Sequence, residues 1–456
     1  MISRLYKYIG GLLFILLYFC DARAYDFMNR SRGEVLYFNI LSSAERTCEL
    51  THGDAGETYE GRSYTIPRCV RYRRHSYRVV AVGKEAFAGC NNLTNITFHS
   101  HITRIDSAAF SGCLSLSRLR LPSKLKEIGS MAFYGCSALS YVEIPASVEQ
   151  IGEGAFSNCA SVVDITVDDK NKRYSDAKGS SCIIDTKTRS LIQGCSGTEI
   201  PSDITSVGAY AFAGCDQLRS ITIPPRVTSV GHHAFTGCSS LVEAMLSQQI
   251  HELSPYLFAG CTSLSKLTLP VDITSIGDGA FKNCGKLPEI NLYNGLETIG
   301  SQAFAGCSGL TALTLPTYSL TEIGSGAFLG CSSLKEITVP KNITSLASHT
   351  FDSCSSLTEI HLPSKLQSIG PYCFYACGRL RTIILPEQLQ HIGSCAFTNC
   401  RNLRGIRNDN PIAYPIDEDA FPPSVFDNTT LTVPFNSVEA YQNAAVWNKF
   451  SNIGKP

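Results

Sequence analysis

Twenty cysteines stand in the 456-residue chain. Thirteen share one context: each follows a phenylalanine by three positions, from Phe87 and Cys90 to Phe397 and Cys400. Thiols at regular spacing invite three chemistries: metal ligation, disulfide bridging and nucleophilic attack. A zinc site wants its thiolates in close pairs, whereas this series supplies one Cys per 23 residues. In a stacked array the neighbouring thiols would lie ~5 Å apart, within the range of a bridge, but with parallel rather than converging Cβ vectors. The expected role is therefore a buried small thiol that packs as a hydrophobe. Many free thiols in an exported chain would fit a reducing habitat. Outside the series stand Cys48, Cys69, Cys182, Cys195, Cys373 and Cys395. Cys48 with Cys69, and Cys182 with Cys195, stay open as disulfide pairs. Cys373 takes an alanine slot of the core, and Cys395 faces outward.

Other catalytic signals are missing. The sequence holds no H-E-x-x-H, no G-x-S-x-G and no Walker loop. The glycines from Gly324 to Gly330 imitate a phosphate loop, but they are those of a recurring phrase. His232-His233, and His99 with His101, lack a third ligand nearby in sequence, and Asp168-Asp169 lacks the alternating oxygen ligands of a calcium loop. A non-enzyme is expected, with no catalytic residue, no cofactor and no metal.

The elements that hold the cysteines follow from the phrase around them. The Phe-x-x-Cys spacing is 23 throughout, except 24 between Phe304 and Phe328 and 56 between Phe156 and Phe212, the latter being 23 plus a 33-residue insertion. A fixed period in this range marks stacked coils rather than separate domains. In the unit Leu264–Lys286 (LSKLTLPVDITSIGDGAFKNCGK), Leu267 and Leu269 flank Thr268 as in a half-buried strand, and Pro270 ends it. Ile273 and Ile276 turn inward, and Ala280 and Phe281 return to the core. The residue after the second isoleucine is Gly in ten of thirteen units, which suggests a positive φ or a tight bend. The residue before Cys is Gly in eight and Asn in three, Asn158, Asn283 and Asn399, types that tolerate the left-handed region. Phe281 with Cys284, and Phe304 with Cys307, exemplify a structural ladder in which each ring stacks on the next. One coil cannot bury its own apolar face, so stacking must do it.

The phrase L-x-x-I-x-[LI]-P-x-x-[VI]-x-x-I-G-x-x-A-F-x-G-C resembles the BspA-type leucine-rich repeat of bacterial surface proteins, over residues ~80–407. The resemblance implies a repeat solenoid: a right-handed leucine-rich-repeat coil with one short parallel strand per 23-residue unit. It also implies adhesion, for instance to matrix proteins or neighbouring cells.

The flanks complete the expected organisation. Arg4 and Lys7 precede an apolar run, Ile9 to Phe19, and Ala22-Arg23-Ala24 follows. This reads as a signal peptide over 1–24, cleaved after Ala24, with lipidation at Cys20 the competing reading. No later run is apolar enough to span a membrane. Residues 25–80 should form an N-terminal β cap with runs such as Glu34–Leu41 and Arg78–Val82. The solenoid should occupy 81–407, with a β-hairpin inserted at about 168–200 around the turn Asp185–Ser190. Residues 408–456 should supply a degenerate last coil and a C-terminal helix cap. Asn436 and Glu439 read as its capping box, with Val438, Tyr441, Val446, Trp447 and Phe450 closing the open end.

Composition narrows the partner. Lys+Arg and Asp+Glu are both 39, a net charge of zero, which is a poor footprint for nucleic acid. The outward strand positions offer an acidic column with one lysine (Glu243, Lys266, Glu289, Glu336, Glu359) and a threonine column (Thr222, Thr268, Thr314, Thr338). Threonines also suit a strand on propensity alone. Basic patches stand towards the two ends, Arg71, Arg73 and Arg74 near one and Arg404 and Arg407 near the other. The expected function is an exported or cell-surface protein that binds a protein or glycan partner. The alternative is a structural spacer of the cell envelope, or a component of another surface system with no host ligand.

Overall fold

The computed structural model describes residues 24–31, 34–54 and 58–455. The expected signal sequence, with Cys20, lies outside the described residues apart from Ala24. The chain forms two compact units, one reaching Leu139 and including Pro145–Phe156, the other Ser140–Ile144 with everything from Ser157 on.

The second unit shows the repeat at its most regular. Lys266–Thr268 pairs in parallel with Glu243–Met245, which pairs with Ser220–Thr222, so that Ser220, Glu243 and Lys266 stand in one register. Each coil also carries a second short strand at the inward turn. Glu252–Leu253, Ser275–Ile276, Thr298–Ile299 and Glu322–Ile323 form a second parallel ladder. A third line of coil-to-coil bonds runs through the turn, where the Phe258 amide donates to the Ala280 carbonyl (2.7 Å) and the Phe281 amide to that of Ala303 (2.8 Å). The three lines together satisfy most backbone groups without helices. Ile273, Ile276, Phe281 and Cys284 are buried between them.

The rings stack as the spacing demands. Phe281 and Phe304 lie 5.3 Å apart with planes 16° from parallel. In the second unit the series continues one step past the last Cys, since Phe421 stacks on Phe397 at 4.8 Å. In the first unit Phe87, Phe110, Phe133 and Phe156 stack at 5.1–5.2 Å.

The two recurring glycine slots of the coil have different causes. Before Cys, the left-handed region is used as expected: φ is +75° at Gly237 and +62° at Asn283. After the second isoleucine it is not. Gly231 has no positive φ; a Cβ there would meet the Ala209 amide nitrogen at 2.3 Å. That glycine is set by close approach of the neighbouring backbone, not by dihedral freedom.

The N-terminal strands are β1 (Phe27–Ser31), β2 (Glu34–Ser42), β3 (Thr47–Thr51), β4 (Ser63–Thr65), β5 (Cys69–Tyr72) and β6 (His75–Val82). β1, β2 and β3 form an antiparallel meander, and β3 pairs in parallel with β6. β6 continues into Arg104–Ile105, the first rung of one repeat ladder, and β4 pairs with Asn95–Thr97, the first rung of the other. The cap strands thus cover both open edges where they begin. Because β6 lies between β3 and β5, Cys48 and Cys69 stand two strands apart. That is roughly 9–10 Å, beyond the reach of a disulfide; both are free thiols, as are Cys182 and Cys195.

The insertion is more than an outgrowth. Ile183–Asp185 pairs antiparallel with Ser190–Gln193, as the hairpin pattern predicts, and Tyr174–Ser175 adds a third strand. Ser190–Gln193 then pairs in parallel with Ser206–Val207, so the returning strand is itself a rung of the second ladder. At the C-terminal end the capping box does not form. Helix α1 (Pro423–Asn428) precedes a six-residue α2 (Val438–Asn443), whose N-cap is Ser437 with no side-chain cap bond. Val446, at φ +68°, lies beyond α2, and Trp447 belongs to a separate 3-10 turn. Trp447 is nonetheless the plug: it is fully buried, and its indole N–H donates to the Tyr414 carbonyl at 2.7 Å.

Candidate binding face

The regular thiols are chemically silent. The Cys284 thiol donates to the Phe258 carbonyl (3.2 Å) and the Cys307 thiol to that of Phe281 (3.1 Å). Burial pushes the Cys307, Cys354 and Cys400 thiols up to about 12. A neutral, hydrogen-bonded, enclosed S–H is neither nucleophile nor metal ligand. Cys373 is fully buried, as its alanine slot requires. Cys395 is half-buried and lies 3.3 Å from the Asp419 carboxylate.

The histidines are held by packing. His233 stacks between Tyr210 and Tyr256, 4.8 Å from each ring. Burial lowers His99, and the Arg68 guanidinium beside His101 lowers that ring. Among the described residues no group of three or more His, Cys, Asp or Glu is placed to hold a metal ion.

What the coils expose is the outer face of the first ladder. Glu243, Lys266, Glu289, Glu336 and Glu359 are exposed, and so are Thr222, Thr268, Thr314 and Thr338. The ladder brings only some of them together. Glu243 stands in register with Lys266, Thr222 with Met245 and Thr268, and Glu336 with Glu359. Between the Lys266–Thr268 rung and the Glu336–Thr338 rung the ladder is interrupted, and Glu289 and Thr314 lie in that interval.

A cavity of about 390 Å³ opens beside the resumed ladder, lined by Thr314, Glu336, Thr338 and His361. The neighbouring coil is the one with 24 residues between phenylalanines, Phe304 to Phe328. Its Tyr318 is 71% exposed, and Lys341 Nζ lies 4.2 Å from the centre of that ring. Met245, Tyr318 and His361 did not figure among the expected positions. Met245 and His361 occupy the same slot as the threonines, so the period alone could have found them. A second cavity, about 560 Å³, lies at the C-terminal cap over Phe421 and Phe426, with Glu418, Asp419, Asp427 and Lys449 around it. The Ser394 hydroxyl, 2.8 Å from the Asp419 carboxylate, and the Cys395 thiol hold Asp419 below the ordinary carboxylate range.

The basic groups differ in availability. Arg407 is engaged by Asp409 at 2.7 Å, and Arg404 donates to the Arg401 and Leu403 carbonyls. Arg71, Arg73 and Arg74 lie exposed on the hairpin of β5 and β6, in no ion pair among the described residues.

A model of the BspA-type leucine-rich repeat region, six copies long, matches residues 74–185, 192–311 and 297–432. Among solved structures, a leucine-rich repeat protein from Bacteroides ovatus is 26% identical, with TM-score 0.51, over 95% of this chain and 100% of that one. A leucine-rich repeat protein from Eubacterium ventriosum has the same fold at 21% identity, with TM-score 0.53, over 76% of this chain and 94% of that one. The comparison with curated proteins returns no match. Among the described residues no helix is long and apolar enough to cross a membrane.

Proposed function

Because the chain belongs to the family of BspA-type leucine-rich repeat proteins, we propose that it is an exported or cell-surface scaffold that binds a protein or glycan partner. Its task is adhesion or protein–protein interaction. The observation that carries this reading is the exposed strand face. Side chains at fixed slots stand in register from coil to coil, with a cavity beside Glu336, Thr338 and His361. A rung held by backbone bonds on both sides presents its side chains with little left to order on binding, which is the cost that weakens flexible surfaces. The leader-like start of the sequence, Arg4 to Ala24, supports export.

The test uses residues 25–456, immobilised and offered a panel of matrix proteins and uncharged glycans. A saturable ligand whose binding falls on Lys266→Glu or Glu336→Thr supports the reading. Binding no higher than background across the panel, or binding indifferent to both substitutions, overturns it. Fractionation of native cells into medium, envelope and cytoplasm tests export separately.

A further inference from the structure

β5 and β6 meet in a two-residue turn, with Tyr72 opposite His75 and only Arg73 and Arg74 between them. Both arginines have positive φ, +46° and +69°. This is the geometry of a type I′ hairpin turn, where Asn-Gly is the sequence that fits without strain. Two bulky side chains in this backbone are held there at a local cost, and such cost concentrates at functional sites. The arginines are not alone. Arg71 and Arg78 lie on the exposed face of the same hairpin, Arg68 precedes it, and Arg46 is their neighbour through the backbone, its carbonyl accepting the Arg78 amide at 2.8 Å. All six are exposed. Glu45 and Glu49 are the acids in the adjoining segment, and Glu49 is already engaged by Arg104 at 2.9 Å.

From this arrangement we infer that the β5–β6 hairpin is a binding site for an anionic polysaccharide, one carrying sulfate or carboxylate groups along its length. Guanidinium forks pair with such oxyanions in bidentate fashion, and a line of them matches a repeating polyanion. A membrane surface fits less well, because the turn Tyr72–His75 holds no free apolar side chain to insert. Tyr72 is stacked on Phe27 at 4.6 Å and covered by Arg73 at 5.1 Å. Single-stranded nucleic acid also fits less well, since binding it relies on aromatic faces open for stacking. Tyr77 is buried, and Tyr72 is occupied as described. This site is separate from the strand face of residues 222–361, and either reading can fail while the other stands.

The test is binding of the full chain to immobilised heparin, with an uncharged dextran, phosphatidylglycerol vesicles and an oligonucleotide as the other arms. Expected is binding to heparin that weakens about tenfold or more between 50 and 200 mM salt, as counterion release requires. The decisive variant is Arg73→Asn with Arg74→Gly. It installs the residues the turn prefers, so the fold is kept or gains thermal stability while heparin affinity drops by about tenfold. Arg226→Gln, at an exposed arginine of the second unit, leaves heparin binding unchanged. Equal binding by the turn variant, equal binding of the uncharged dextran, or tighter binding to vesicles or oligonucleotide overturns the assignment.

Discussion

The Sγ of Cys307 lies 3.1 Å from the carbonyl oxygen of Phe281, one coil earlier, and that same oxygen accepts the Cys284 amide at 3.0 Å. Both lone pairs of the carbonyl are therefore used inside a dry core. The arrangement recurs with Cys261 on Phe235, Cys354 on Phe328 and Cys400 on Phe374. It explains why the slot takes Cys rather than Ala or Ser. The thiol fills a methyl-sized space like a hydrophobe and still completes the acceptor weakly.

Replacing that thiol should cost stability through two separate losses. Cys307→Ala leaves a small void and one unmade bond, an expected loss of about 1–2 kcal/mol. Cys307→Ser keeps a donor, but on a shorter bond and with a hydroxyl that is costlier to desolvate, so its loss should be at least as large. Urea unfolding midpoints of the two variants check this. Parent-like stability for both would show the thiol to be a spectator.

Alkali should unfold the protein through the same groups. Burial raises the folded-state thiols of Cys182, Cys307, Cys354 and Cys400 to about 12, from an ordinary 9.0. A raised folded value means that above pH 9 the unfolded chain holds fewer protons than the folded one. The stabilisation is whole below pH 9 and is lost as pH climbs towards 12, by up to ~1.4 kcal/mol per pH unit for each thiol. The urea midpoint should fall steeply from pH 9 to 11, and Cys307→Ala should flatten that fall. A midpoint constant over this range contradicts the burial of the thiols.

Much of this was legible in the sequence because the repeat reports each position thirteen times. The Phe281–Phe304 stack, the buried Cys284 and the left-handed Asn283 all follow from residue type at a fixed slot. What one-dimensional spacing conceals is the neighbouring coil. Gly231 looks like a dihedral requirement until the Ala209 backbone is seen against it. The second ladder through Ser275–Ile276 was hidden because two residues are too few to show alternation. Arg407 belongs to a basic patch by residue type alone, but Asp409, two positions along the chain, engages it at 2.7 Å. At the candidate face, exposure of Glu336 and Thr338 was readable, whereas the interruption that leaves Glu289 outside the ladder was not.

The two glycine slots should respond differently to one methyl group. Gly231→Ala drives a Cβ to 2.3 Å from the Ala209 nitrogen, which is backbone and cannot move aside cheaply. The expected loss is about 3 kcal/mol or more, the scale of severe overpacking. Gly237→Ala has open space, with Gly214 Cα at 3.8 Å, but a φ of +75°. It should lose only about 1–2 kcal/mol, and Gly237→Asn less still. Thermal unfolding of the three variants reads the order. A Gly231→Ala no worse than Gly237→Ala would remove close approach as the cause.

The paired acids of the strand face allow stability and binding to be separated. Glu336 stands in register with Glu359 on adjacent parallel strands, and both are exposed. Glu359 has the His361 ring nitrogen at 3.2 Å as a partner, but Glu336 makes no such contact among the described residues. Like charges side by side on a sheet destabilise it by roughly 0.2–1 kcal/mol. Threonine in that slot removes the repulsion and suits the strand. Glu336→Thr should therefore raise the unfolding temperature slightly while weakening any ligand held at the adjoining cavity. Glu359→Thr should gain less, because it also gives up the His361 contact. Calorimetry beside a binding titration reads both quantities. A variant that is more stable and binds as before would mean that Glu336 is only a solvated side chain; opposite movement of the two would mark it as a group kept for recognition.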